Sequence, residues 1–479
     1  MKKEKKLSPT ELPLAFEIDP EPVKETWTAR AGIPLLVEAS RRLGVPGSVK
    51  RNVTAKQRER GFDEATMVES FIILNAAGGE CLDDFEVLRE DEGLSELIGH
   101  KFPSPAAARK FLYQFHDEEK MEEARQQLLP GHTAFIPGEN EALSGLAEVN
   151  RELVQAVGRR CANEKVATVD QDSTIMESRK REAQRTYEGE RGYQPMLAMW
   201  AETNLILADE FRDGNVPAMM KPLTVAKRAF AALPETVKEF FYRGDAACHE
   251  TGLIRWLKDD DRQGGPQGFI GFGISVRMTE ALRETIKTTV NEQSWERLEE
   301  SDPTVIRECS EVVFVSNNEA EDKQSKPLRY VAIRMRKRQG ELFGDGSSVK
   351  HFAVVTNIWD WAPSKLIDWH RQKAGTIEAI HNVIKNELAG GVMPCGRFGA
   401  NAAWVRLTVM SHNLITALKR LALPPELLSA RPKRLRFLIF NVAGQVIHHA
   451  RSIGLRLVTT KEKIIEYWID GRASLIVAI

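Results

Sequence analysis

Four acidic residues in this sequence have the types and positions that metal-assisted phosphate chemistry requires. Asp170 and Asp172 lie in the run VATVDQDSTI, Asp245 ends the run FYRGD, and Glu378 follows much later in the chain. Carboxylate oxygens are preferred ligands of Mg²⁺, and two such ions about 4 Å apart can polarise a phosphodiester and activate the attacking oxygen. The sequence therefore predicts a divalent-cation site, provided that the fold brings these acids together.

Glu378 lies in a predicted helix that spans residues 369–391, WHRQKAGTIEAIHNVIKNELAGG. Arg371, Glu378 and Lys385 are seven residues apart, so two turns of helix place all three on one face. Isoleucines at helical spacing provide a separate face for packing. This pattern predicts one metal ligand between two phosphate-binding cations, whereas simple ion pairing on a solvated helix is the alternative interpretation.

The other acids fall at the ends of predicted strands. Residues after Lys165 alternate with period two, so Asp170 and Asp172 point to the same side of one strand. An acid at a strand end can also cap the next helix, so the spacing alone leaves both interpretations open. The predicted order is β-β-β-α-β-α, with strands at 166–175, 193–200, 205–211 and 240–245 and helices at 222–233 and 247–257.

Composition excludes several other classes of protein. The 479 residues are 42% hydrophobic and 28% charged, which is ordinary for a globular protein, and the net charge is −1. The positive charge is concentrated, because residues 388–461 contain eleven Lys and Arg residues and one acid, Glu426. We expect that region to face a polyanion. No apolar run is long enough for a membrane span, and five scattered cysteines indicate a reducing, cytoplasmic compartment.

Several long segments of the sequence carry a resemblance to a known family. They are VDQDSTIMES with YEGERGYQPMLAMW, DEFRDGNVPA, FYRGDAACHE, and HRQKAGTIEAIHNVIKNELAGG followed by CGRFGANAAWVRL. On these segments the chain resembles bacterial insertion-sequence transposases of the DDE type, in the group with an inserted β-domain. Within that group it is similar to the insertion-sequence family numbered 1380. The resemblance extends from GGECLDDFEVLRED to the Arg-rich C-terminal segment and so covers most of the chain.

The resemblance implies an α/β fold with a ribonuclease H-like catalytic core that a β-containing insertion interrupts. A helical N-terminal domain that binds DNA would precede this core, and a basic C-terminal segment would follow it. The predicted divisions are residues 1–160 for the helical domain, 161–257 and 351–425 for the two parts of the core, 258–350 for the insertion, and 426–479 for the basic segment.

The resemblance also implies roles for individual residues. Asp172, Asp245 and Glu378 would be the catalytic acids and would hold two Mg²⁺ ions, for which Mn²⁺ could substitute. Asp170 remains the alternative first acid, because it lies on the same strand face two residues away. Related enzymes carry a Tyr-x-x-Arg-x-x-x-Glu-x6-Lys signature, of which Glu378 and Lys385 are present. Arg371 and Ala374 stand where its Tyr and Arg would be.

The expected partner is DNA, both the terminal inverted repeats of a mobile element and a target. The resemblance implies a homodimer on DNA in the cytoplasm of a bacterium, associated with the nucleoid and not with a membrane. The residues expected to contact DNA are Arg371, Lys373, Lys385, Arg431, Lys433, Arg434 and Arg436. Trp256 and Trp295 are weaker candidates for stacking on an unpaired base.

The predicted activity is cut-and-paste DNA transposition, in which metal-dependent cleavage at the element ends precedes strand transfer. Two other functions stay open on sequence grounds. The same three acids would serve a ribonuclease H-like nuclease without strand transfer. A non-catalytic DNA-binding protein derived from a transposase would use only the basic surfaces.

Overall fold

The computed structural model describes residues 17–478, apart from 56–60, 162, 301, 317–325, 339, 341 and 451. The N-terminal part is mainly helical, as the sequence analysis predicted. Side chains cap several of these helices; Asn140, for example, accepts a hydrogen bond from the Leu143 amide. The elements are β1 (Trp27–Thr28), α1 (Ile33–Arg42), α2 (Val45–Asn52), α3 (Glu64–Ala77), α4 (Phe85–Arg89), α5 (Glu92–Ile98), α6 (Pro105–Tyr113), α7 (Glu118–Gln126) and α8 (Glu141–Arg160).

The central part follows the predicted β-β-β-α-β-α order with small changes of boundary. The predicted strand at 193–200 is divided between two sheets, and the helix predicted from 247 begins at Thr251 after a short 3-10 turn. The elements are β2 (Val166–Ser173), β3 (Met176–Glu177), β4 (Gln184–Arg185), β5 (Arg191–Tyr193), β6 (Met196–Trp200), β7 (Leu205–Glu210), α9 (Pro222–Ala232), β8 (Glu239–Gly244) and α10 (Thr251–Lys258).

A further core strand follows α10, and the sequence analysis did not predict it. This strand is β9 (Ile270–Ser275), which runs parallel to β8 with Phe272 opposite Tyr242. The elements after it are α11 (Glu280–Thr289), β10 (Glu296–Arg297), β11 (Val305–Val312), β12 (Arg329–Lys337) and β13 (Val349–Thr356). Because β13 pairs with β9, one continuous sheet contains strands from both sides of the predicted boundary at residue 258. The division of the chain into domains at that residue stays a prediction.

Long helices and a hairpin complete the chain. They are α12 (Pro363–Asn386), α13 (Phe398–Leu421), α14 (Pro432–Leu435), β14 (Gly444–His449), β15 (Ser452–Leu457) and α15 (Glu462–Ala478). The hairpin and α15 lie within the segment predicted only as basic. Strand β1 pairs with β14, so the first and last parts of the described chain are joined. No helix among the described residues is long and apolar enough to cross a membrane.

The central sheet has nine strands in the order β10-β11-β12-β13-β9-β8-β2-β6-β7. Strands β2, β8 and β9 are parallel neighbours, whereas β6 and β7 are antiparallel additions beside β2. Helices α9 and α10 pack against this mixed five-strand unit. The unit is the ribonuclease H-like core, and it confirms the predicted α/β fold class. Strands β10 to β13 extend the same sheet on the β9 side.

Helix α13 is buried along almost its whole length and carries a charged anchor at its centre. The side chain of Arg406, 1% exposed, bonds to Asp209 of β7 and to Glu139, which precedes α8, at 3.0 Å in each case. It also donates to the Leu143 carbonyl at 2.7 Å. Burial alone would raise the pKa of Glu139, but Arg406 and Arg228 lower it to about 2. Arg406 therefore ties the N-terminal helices to the sheet through buried ion pairs.

We expect the substitution Arg406→Met to lower the free energy of unfolding by about 3–5 kcal/mol, because it leaves buried carboxylates without their cation. The measurement is a denaturant titration at neutral pH. Arg89→Met is the matched control, since Arg89 pairs with Glu86 at 2.6 Å on the surface. Its effect should stay below about 0.5 kcal/mol. Equal effects of the two substitutions would show that the buried anchor does not hold these elements together.

Candidate active site

The parallel pairing of β2 with β8 brings the ends of both strands to the same edge of the sheet. In this register Asp170 lies opposite Arg243 and Gln171 lies opposite Gly244. Asp172 is therefore one residue further along β2, and Asp245 directly follows β8. Chain segments almost 75 residues apart thus supply neighbouring carboxylates at one edge of the core.

Asp170 is a buried structural acid in this arrangement. Its side chain is 0% exposed, and its oxygens accept hydrogen bonds from Arg243 Nε at 2.6 Å and Arg243 Nη2 at 2.9 Å. The Thr376 hydroxyl of α12 donates to the same carboxylate. Arg243 also donates to the Trp369 carbonyl at 2.6 Å. Both Asp170 oxygens are thus used to hold β2, β8 and α12 together.

Asp172 and Asp245 form the acid pair at the edge of the sheet. Asp172 Oδ2 bonds to Lys373 Nζ at 2.7 Å, and Asp172 Oδ1 accepts from the Ser173 amide at 2.8 Å. Asp245 Oδ1 accepts from the Ala247 amide at 3.1 Å. Burial raises the pKa of Asp245, and the charge of Asp172 raises it further, whereas Lys373 acts in the opposite direction. The two carboxylates are therefore close enough for their charges to repel each other.

Helix α12 contacts this edge of the sheet through three residues on one face. His370 Nε2 lies 3.1 Å from the Gly244 carbonyl, Lys373 bonds to Asp172, and Thr376 bonds to Asp170. These positions differ by three residues and so lie along one side of the helix. Burial lowers the pKa of His370 to about 4, so the imidazole is neutral and donates a hydrogen bond from its N–H group to the carbonyl. From the sequence, a structural or DNA-contacting role was expected for His370, and no role was assigned to Thr376.

Glu378, the predicted third acid, is on the exposed part of α12. Within the described parts of the chain, no group of three or more His, Cys, Asp or Glu side chains is close enough to hold a metal ion. The structure thus brings Asp172 and Asp245 together and leaves Glu378 outside this pair. Lys385, one predicted phosphate contact, donates to the Ile175 carbonyl at 3.1 Å, just beyond the end of β2. The cluster of three acids stays a prediction.

The other cations predicted to contact DNA bond to acids, bond to backbone carbonyls or are exposed to solvent. Arg371 bonds to Glu300 at 3.1 Å and Arg431 bonds to Glu387 at 2.6 Å. Arg436 donates to the Asn75 carbonyl at 2.7 Å and the Ala76 carbonyl at 2.9 Å, at the end of α3. Lys433 and Arg434 are exposed on α14. DNA contact by these residues stays a prediction.

The two tryptophans considered for base stacking are covered by other residues. Trp256 is 7% exposed and donates to the Gln263 carbonyl at 2.9 Å. The guanidinium of Arg334 lies 4.4 Å from the centre of the Trp295 ring. Neither ring adjoins the acid pair through a contact in the described structure.

The chain's similarity to known proteins shows the family to which it belongs. The fold and the paired strand-end acids are those expected of a nucleotidyl-transfer enzyme that uses a ribonuclease H-like core. The family described as "Transposase DDE domain group 1" matches residues 25–464, which is most of the chain. The chain therefore belongs to this family of DDE transposases.

Among solved structures, the chain is similar to a piggyBac transposase seen by cryo-EM in a synaptic complex with hairpin DNA. The two sequences are 11% identical, and the similarity covers 80% of this chain and 74% of that chain, with a TM-score of 0.44. No curated protein matches the chain.

Stability measurements should separate the structural acid from the candidate catalytic acid. We expect Asp170→Asn to lower the free energy of unfolding by about 3–5 kcal/mol, because Arg243 would lose its buried anionic partner. Asp172→Asn should cost less, since Asp245 still offers a carboxylate to Lys373. Both variants and the wild type would be unfolded with denaturant in the presence of EDTA. The reverse order of stabilities would make Asp172 the structural acid.

The raised pKa of Asp245 predicts that replacing this acid with a neutral residue stabilises the folded chain at neutral pH. In the range between the ordinary Asp pKa of about 3.9 and its raised folded-state value, the folded chain binds more protons than the unfolded chain. Stability from this group therefore falls as pH rises through that range. We expect Asp245→Asn in EDTA to be more stable than wild type at pH 7, with the gain disappearing below about pH 3.9. A loss of stability at pH 7 would contradict the repulsion between these acids.

Proposed function

We propose that the protein cuts DNA at the terminal inverted repeats of its own mobile element and transfers the freed ends to target DNA. The observation that carries this proposal is the meeting of Asp172 and Asp245 at the ends of parallel strands, in a chain of the DDE transposase family. Glu378 would be the third acid. It would reach the pair from α12, the helix that already contacts both strand ends.

The residues at the sheet edge fit a divalent cation. Their donor set is carboxylate oxygen, which Mg²⁺ and Mn²⁺ prefer, and a protein cation, Lys373, already balances the charge of this pair. Asp172 and Asp245 would hold the metal, and Glu378 would complete the set for two ions. When bound, Mg²⁺ supplies Lewis-acid polarisation of the scissile phosphate and lowers the pKa of the attacking water or hydroxyl.

The chain's own residues would bind and orient the DNA. Lys385 lies beside the end of β2, where it could hold a phosphate next to the acid pair. Arg371 would exchange Glu300 for a phosphate. In the first step the oxygen of water attacks the phosphorus at the element end, and the 3′-oxygen leaves. In the second step this 3′-hydroxyl loses its proton and attacks the phosphorus of a phosphodiester in the other strand or in the target. The bond from that phosphorus to its own 3′-oxygen breaks, and this oxygen takes up a proton as it leaves.

Parts of the chain outside the catalytic core would recognise the element ends. The helices within residues 1–160 and the exposed cations Lys433 and Arg434 would contact the inverted repeats and flanking DNA. As parts of the same proposal, the protein would act as a homodimer that bridges two ends. It would belong to a bacterial insertion sequence similar to the family numbered 1380, and it would work on the nucleoid in the cytoplasm.

Cleavage of labelled DNA that carries the gene's flanking ends tests this function. We expect cutting at the ends with Mg²⁺ or Mn²⁺ and none with EDTA. The variants Asp172→Ala, Asp245→Ala and Glu378→Ala should each reduce the rate by a factor on the order of 10³ or more. Glu284→Ala is the matched control, because Glu284 is an exposed acid on α11 that pairs with Lys287 at 2.8 Å, and its activity should equal that of wild type.

The products separate the proposed function from its alternatives. Joining of the cut ends to an unlabelled target indicates a transposase, whereas metal-dependent cutting without joined products indicates a nuclease. If the wild type binds the ends but does not cut them with either metal, the chain is a DNA-binding protein and the catalytic proposal is wrong. Full activity of Glu378→Ala, with Asp172→Ala inactive, would remove Glu378 from the site.

A further inference from the structure

Lys373 brings a positive charge into direct contact with the acid pair. Its Nζ lies 2.7 Å from Asp172 Oδ2, and its side chain is only 9% exposed. The two side chains therefore form an ion pair that is largely shielded from solvent. The resemblance had implied instead that Lys373 contacts a DNA phosphate.

The charge balance of the site depends on this lysine. Two partly buried carboxylates that lie close together repel each other, and one nearby ammonium offsets part of that repulsion. A divalent cation would bind the same Asp172 oxygens and would satisfy the same negative charge. Because Asp172 Oδ2 is already bonded to Lys373, the ion pair has to break before that oxygen can bind a metal.

The packing of α12 allows the lysine to leave while the helix stays in place. His370, one turn before Lys373, is bonded to the Gly244 carbonyl, and Thr376, one turn after it, is bonded to Asp170. These two contacts hold the helix against β2 and β8 on either side of the lysine. The side chain of Lys373 itself is a flexible four-carbon chain, so its ammonium group can move without displacing the backbone.

We propose that Lys373 is a built-in counter-ion that competes with the catalytic metal for Asp172, so that loading the site requires its ammonium group to withdraw. The inference rests on the proposed function, because it takes Asp172 and Asp245 to be metal ligands. Lys373 acts through these two acids and is a positioning residue. It keeps the empty acid pair stable and makes metal binding weaker than two free carboxylates would allow.

The test measures Mn²⁺ affinity on the full chain without DNA, by the loss of the electron paramagnetic resonance signal of free Mn²⁺. Removing one unit charge about 4 Å from the bound ion should lower the dissociation constant of Lys373→Met by about ten- to a hundredfold relative to wild type. Lys373→Arg retains the cation and should bind Mn²⁺ with an affinity close to that of wild type. Lys365→Met is the matched control, because this exposed lysine of the same helix lies over the Trp361 ring, and its Mn²⁺ affinity should equal that of wild type.

Thermal unfolding supplies a second readout that a purely structural lysine would not give. In EDTA, Lys373→Met should have a lower Tm than wild type, because the acids repel each other without their counter-ion. Saturating Mn²⁺ should then raise the Tm of Lys373→Met more than that of wild type. If Lys373→Met does not fold, Lys373→Gln, which is also neutral, takes its place in both measurements.

The failure of this inference can be told apart from the failure of the proposed function. If Asp172→Ala abolishes Mn²⁺ binding but Lys373→Met binds Mn²⁺ no more tightly than wild type, the inference is wrong and the metal site stands. Weaker Mn²⁺ binding by Lys373→Met would also overturn it, since the lysine would then support the metal. If wild type and Asp172→Ala bind Mn²⁺ equally, the proposed metal site itself is wrong.

Discussion

The buried ion pair between Asp170 and Arg243 is the constraint on which the geometry of the candidate site depends. It joins the parallel strands β2 and β8, and both partners also bond to α12, through Thr376 and the Trp369 carbonyl. A pair that is excluded from water is costly to break from one side, because the remaining charge has no solvent to compensate it. The two strand ends and the helix are therefore held in one arrangement, and Asp172 and Asp245 at those ends have to face each other.

Much of the fold could be predicted from the sequence, because period-two strands and amphipathic helices alternate clearly from residue 166 to residue 258. Strand β9 was missed for a local reason. Its sequence, IGFGIS, contains two glycines that resemble a loop signal. In the structure a Cβ on Gly271 would lie 2.7 Å from Phe241, and one on Gly273 would lie 3.0 Å from Trp369. These glycines allow aromatic side chains to pack directly on a central strand, a tertiary requirement that no local pattern reveals.

Of the candidate site, only the acids could be predicted from the sequence, and the contacts between them could not. Strand ends identify Asp170, Asp172 and Asp245 as candidates, but two acids with the same strand phase cannot be ranked without their partners. The deciding partner, Arg243, is 73 residues from Asp170 and is its neighbour only through parallel pairing. One signal was present in the sequence, since a charged residue within a buried strand needs a buried counter-ion. Helical spacing likewise indicates where Lys373 points, but it does not indicate which charge the lysine meets.

The pairing of cations on α12 bears on how DNA would enter the site. Arg371 is bonded to Glu300, which also pairs with Arg307, and Lys373 is bonded to Asp172, so the protein's own acids already offset part of this positive charge. A phosphate that replaces such an acid exchanges one ion pair for another and adds little net attraction. In the proposed reaction, long-range attraction would therefore come from exposed cations such as Lys433 and Arg434. Lys373 of α12 would contribute only after Asp172 has found another positive charge, which is the metal ion. Metal binding and close DNA contact would thus favour each other at this edge of the sheet.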